Sequence, residues 1–158
     1  AASYINSIRT TVERCPDDLC GVLGYNGSLL GFFYETGEVG TQVDDAIRNG
    51  KSIVPVWAPL CMPHFKFFYV FAAYARVNQY FSTTKKAEQD IYFKELVRES
   101  RELQFASLMP SWTPIRAHSL VIRGIVYRIE GKIAKAERCF IDAMAMADFH
   151  NLPWVRYD

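Results

Sequence analysis

Residues 123–147 read RGIVYRIEGKIAKAERCFIDAMAMA, a helix-forming run that places glycine at 124 and again at 131. Glycine inside a helix costs about 1 kcal/mol relative to alanine, so such a run needs a packing reason for carrying it. The intervals supply one. Gly124 removes a side chain where a second helix must come close, and Tyr127 fills the groove one turn later. Gly131 ends the first helix in a backbone conformation that other residues resist. Ala136 is the small residue at the crossing, while Phe140 and Ala143 form the second helix's inner face. The segment is predicted to fold back on itself as two helices.

Proline extends this reading to the rest of the chain. It is favoured in the first turn of a helix, where its missing N–H costs nothing. Pro16, Pro63, Pro114 and Pro153 each stand ahead of an apolar helical pattern. Each interval holds two helices and a turn, the breaks falling at ETGE, STT and Gly131. This predicts a leading helix over 3–14, hairpins over about 16–52, 63–107 and 114–150, and a further helix over 153–158. SIVPVW alternates briefly like a strand, but proline interrupts it. Asp17 and Asp18 suit the positive end of the helix that follows them. Units of this length cannot bury their apolar faces alone and must stack. The 158 residues fit one domain, and the absent initiator Met together with the closing NLPWVRYD suggests a piece of a larger protein.

Residues 117–150 closely resemble the tetratricopeptide repeat, matching its small, aromatic and alanine positions at Leu120, Gly124, Tyr127, Gly131, Ala136, Phe140 and Ala143. Gly31, Tyr34 and Gly37 echo the pattern in the first hairpin, with a turn one residue short. In the second, Ala75 and Ala87 align, with Asn78 where an aromatic is usual. Over about residues 20–150 the longer, divergent repeats are similar to helical-repeat regions of large signalling proteins that join a nucleotide cyclase or kinase to an ATPase module. The resemblance implies an all-α, right-handed solenoid of stacked antiparallel hairpins. It also implies a regulatory scaffold, and it carries no catalytic residue across.

Charge and composition narrow the function classes. The net charge is +1, divided as −3 over residues 1–60 and +4 beyond, which gives no global case for nucleic acid or an anionic membrane. No apolar run approaches the length of a membrane span. Cysteines 15, 20, 61 and 139 do not make a disulfide scaffold, and reduced thiols in the cytoplasm are the simpler reading. GVLGYNGSLLG lacks the Lys-Ser/Thr ending of a phosphate loop, so its glycines are assigned to close helix crossings. Asn26-Gly27-Ser28 matches a glycosylation acceptor only formally. Cys15 and Cys20 have no neighbouring His for a metal site, and His64, His118 and His150 are isolated. Arg116, Arg123 and Arg128 share one helix but point in several directions. No catalytic set, cofactor or metal is expected.

The expected activity is therefore interaction. In solenoids of this kind the first helix of each hairpin lines a concave groove. Phased on the third hairpin, that lining is Val121, Ile125 and Arg128, with Ala72, Arg76 and Gln79 in the second hairpin and Ser28, Phe32 and Glu35 in the first. A helix or extended peptide with an apolar anchor and an acid for Arg76 or Arg128 would suit it. The same residues would equally serve to pack against neighbouring domains of the parent chain. A second expectation is an effector-sensing domain, in which a small molecule or short peptide controls an attached enzyme.

Overall fold

Asp18 opens the first long helix. Its backbone is extended and its Oδ1 accepts from the Cys20 amide at 3.1 Å, satisfying one of the donors a helix start leaves free. Replacing Asp18 with Ala is expected to cost about 1 kcal/mol, measured by urea unfolding; an unchanged midpoint would show that the cap contributes nothing.

A computed structural model describes residues 9–10, 12–13, 18–52, 66–108 and 113–153. Among these are six long α-helices and no strand: α1 (Leu19–Thr36), α2 (Thr41–Ser52), α3 (Lys66–Ser82), α4 (Lys86–Ala106), α5 (Thr113–Ile129) and α6 (Ile133–Phe149). They agree with the six helices expected of the three hairpins. Pro114 lies in the first turn of α5, and the break at 83–85 falls one residue later than the expected STT at 82–84, Ser82 ending α3. The leading helix shows only its helical residues 9–10 and 12–13, and Pro153 alone represents the further one. Pro16, Pro63, His64, Cys15, Cys61 and SIVPVW lie outside the described residues.

Gly37 (φ +72°) and Gly131 (φ +74°) sit in the left-handed region at the ends of α1 and α5. The amide that follows each reaches back to the last turn, Glu38 to the Phe33 carbonyl at 2.9 Å and Lys132 to Tyr127 at 2.8 Å. Glycine adopts this conformation without a Cβ penalty, so each first helix stops sharply and its partner can return alongside it.

Three hairpins result, α1–α2, α3–α4 and α5–α6, and the extensive contacts join helices within a hairpin or in consecutive hairpins. α3 is the centre of this arrangement, touching α1, α2, α4 and α5. Phe68, Leu96, Leu103, Ile115 and Ile122 are essentially inaccessible within the core. Two glycines set close crossings. A Cβ on Gly124 would stand 2.5 Å from the Phe140 ring, which gives the packing reason the sequence demanded. Gly50 of α2 makes similar room for the Phe68 ring of α3. Within the glycine-rich stretch, Gly27 and Gly31 lie against Phe68 and Phe71 of α3, whereas Gly24 meets no side chain among the described residues. Asn26 is buried, its Nδ2 donating to the Val22 carbonyl at 2.7 Å, so the formal glycosylation triplet is part of α1.

Candidate functional site

The nine residues expected to line a groove divide by hairpin. In α1, Ser28 and Phe32 are half-buried and Glu35 is exposed; in α5, Arg128 is exposed, Ile125 half-buried and Val121 buried. The second hairpin departs from the expected phase. Ala72 is completely buried, Gln79 is 1% exposed and Arg76 is 4% exposed. Arg76 and Gln79 turn toward α2 and α4 rather than outward, as their partners show. Arg76 pairs with Asp44 of α2 and donates from Nη1 to Gln79 Oε1 at 2.6 Å; its Nη2 lies 3.6 Å from Glu95 Oε2 of α4. The Gln79 amide donates to the Val39 carbonyl at 3.2 Å. The expectation that Arg76 is a freely solvated groove charge is therefore corrected: it is a buried ion-pair centre, and its removal would leave carboxylates poorly compensated. On the other side of α3, Phe67 and Phe81 are exposed and Phe71 and Asn78 half-buried.

A row of rings ties the first helices of the three hairpins together. Tyr34 of α1 and Tyr74 of α3 have ring centres 5.1 Å apart. Tyr74 and His118 of α5 meet edge to face at 5.6 Å, and the phenol oxygen and Nδ1 share a hydrogen bond of 3.1 Å. His118 thus has a packing role at the junction of α3 and α5.

The Arg76 cluster continues into a second polar centre that sequence reasoning missed. Glu99 of α4 is fully buried and receives the Lys51 ammonium of α2 at 2.8 and 2.7 Å. The same Nζ lies 2.6 Å from Glu102. Burial pushes the Glu99 carboxyl above the ordinary carboxylate range, opposed by Lys51 and reinforced by Glu102. Burial likewise raises the Tyr69 phenol, with further contributions from Glu102 and Glu99. Lys51, Glu102 and Arg76 line a cleft of about 760 Å³ between α2, α3 and α4, whose walls also include Arg48 and Arg98. Each of these four cations has a carboxylate partner: Glu99 and Glu102 for Lys51, Asp44 and Glu95 for Arg76, Asp45 for Arg48, and Glu95 and Glu99 for Arg98. Lys51 and Arg76 spend their charge between helices, whereas Arg48 and Arg98 pair within their own. A signal for this centre was present, because Glu99 stands at helical spacing between Leu96 and Leu103, where an apolar residue belongs.

Arg116, Arg123 and Arg128 also need correction. Arg116 and Arg123 line one cavity, whereas Arg128 does not. Seven residues make nearly two whole turns, so the first two share a face. Cys20 is exposed and Cys139 is buried. Among the described residues no three His, Cys, Asp or Glu side chains are grouped to hold a metal ion, and no helix is long and apolar enough to cross a membrane. Comparison with known protein families, curated proteins and solved structures gives no match.

Proposed function

We propose that this chain is a right-handed α-solenoid of tetratricopeptide-like hairpins, serving a larger cytoplasmic signalling protein as a non-enzymatic interaction and regulatory scaffold. The observation that carries the reading is repetition. Gly37 and Gly131 close the first helices of two hairpins with the same backbone bonds, and each hairpin packs on the next. Such an arrangement exposes long faces relative to its volume, which is the property repeat proteins use for binding.

The outer residues of the first helices supply the contact chemistry. Phe32 and Glu35 of α1, Phe67 and Phe81 of α3, and Ile125 and Arg128 of α5 combine apolar and charged side chains, all exposed or half-buried. A polypeptide segment with an apolar anchor and an acid for Arg128 suits that set, whether it comes from a separate partner or from a neighbouring domain of the parent chain.

A photo-crosslinking amino acid tests the surface directly. Placed at Phe32, Phe81 or Arg128 in the parent protein, it should capture a polypeptide segment, whereas the same group at exposed Arg101 of α4 should not. Capture only at Arg101, or at none of the four positions, would reject this face as the interaction surface.

A further inference from the structure

A second cavity, of about 470 Å³, lies between the end of α4, the first half of α5 and the end of α6. Among the described residues its wall contains Arg116, Arg123 and His150, and no carboxylate. That composition sets it apart from the α2–α4 cleft, where every cation is matched by an acid. Arg116 and Arg123 stand two turns apart on one face of α5, with Cα atoms about 10 Å apart along the axis. Among the described residues neither guanidinium has a carboxylate at ion-pair distance. Arg123 instead lies beside a phenol, its Nη2 donating to Tyr127 Oη at 3.4 Å and its Cζ 5.8 Å from the ring centre.

The space between the two arginines is mixed in character. Ser119, only 4% exposed, stands one turn after Arg116, and Leu120 and Met146 contribute apolar wall. Two cations facing one partly enclosed volume raise the local concentration of anions, and a guanidinium is suited to bidentate contact with a carboxylate or phosphate. The volume falls in the range of small-molecule pockets, well above what a single ion needs.

We propose that this cavity binds a small organic dianion. One acid group lies on Arg116 and the other on Arg123, and the spacer between them rests on Leu120 and Met146. Carboxylate and phosphate share the required chemistry. The site is independent of the scaffold reading, because its evidence is the cavity and its charge rather than the outer face of the stack.

Titration of the full chain at low salt, followed by amide NMR shifts, tests this with glutarate and pyrophosphate as probes. Saturable shifts should appear along residues 116–123 with at least one of them. The tighter of the two identifies carboxylate or phosphate as the natural acid. The Arg116→Gln/Arg123→Gln variant should weaken binding by about tenfold or more, and Arg101→Gln, a cation outside the cavity, should leave it unchanged. Should the double variant fail to fold, Arg116→Gln at its exposed position decides alone. The proposal is overturned by the absence of shifts with both probes at millimolar concentration. It is equally overturned by unchanged affinity in the arginine variant, or by acetate binding as tightly as glutarate.

Discussion

Replacing Lys51 with methionine is expected to produce the largest loss of stability, about 3–5 kcal/mol at neutral pH, because it leaves the fully buried Glu99 carboxylate without its main cation. The stem of the lysine is kept, so the loss reports charge rather than volume. The pH dependence gives the effect a signature. Burial holds the folded Glu99 carboxyl above its unfolded value, so the folded protein binds this proton more tightly than the unfolded chain. Its contribution is therefore fully present below the unfolded pKa and is lost as pH rises through the folded one. Lys51 opposes the rise, and without it the folded value moves further up. The deficit of Lys51→Met should be small near about pH 4, below the ordinary carboxylate range, and clearly larger near about pH 7. Urea unfolding at both values measures it. Adding Glu99→Gln to the variant should recover much of the loss at neutral pH. A deficit that is equal at both pH values, or a double variant no more stable than the single one, would show that the lysine does not act by compensating buried charge.

Gly124→Leu should be the most damaging change in the third hairpin. The Phe140 ring already occupies the space a Cβ would take, and both residues lie at the contact of α5 with α6. Overpacking of this kind costs about 1–3 kcal/mol, and for a chain of this size each kcal/mol lowers the melting temperature by roughly 2–4 °C. Phe140→Ala in the same background distinguishes a steric effect from the simple removal of a glycine. The second substitution empties the contested space, so the double variant should melt above Gly124→Leu alone. A single variant that melts with the wild type would place the helix crossing elsewhere.

The turn and the close crossing of the third hairpin were legible because two glycines mark them physically, but its outward face was not: Val121, expected in the groove, is buried. One glycine removes a Cβ at a crossing and the other takes a positive φ, and neither requirement is met easily by another residue. The second hairpin lacked such marks. Ala72, Ala73 and Ala75 are all completely buried, so an alanine there says that a helix is surrounded and not which way it faces. α3 has neighbours in four helices, and a helix covered on so many sides shows no clean stripe from which phase can be read. That is why Arg76 and Gln79 were assigned outward when they point inward. The Lys51–Glu99 pair illustrates a different boundary. A carboxylate at a core position is visible in the sequence, but its partner lies 48 residues away and is fixed only by how α2 and α4 meet. Arg116 and Arg123 were misjudged for a simpler reason: grouping them with Arg128 hid the two-turn spacing that aligns the pair.

The central position of α3 also bears on how displacement travels through the molecule. Among the described residues the first hairpin meets the middle one through contacts with α3 and through Lys51, which pairs with Glu99 and Glu102 of α4. The third joins through α5, which rests on both helices of the middle hairpin. Among the described residues α1 makes its extensive contacts with α2 and α3, and α6 with α5, so the middle hairpin lies between them within one continuous apolar core. Two contact regions join successive hairpins. The first is clamped by buried charge and the ring pair Tyr34–Tyr74, while the second closes on the Tyr74–His118 contact. A charge clamp and a ring contact yield to different agents, so the two regions differ in what would loosen them.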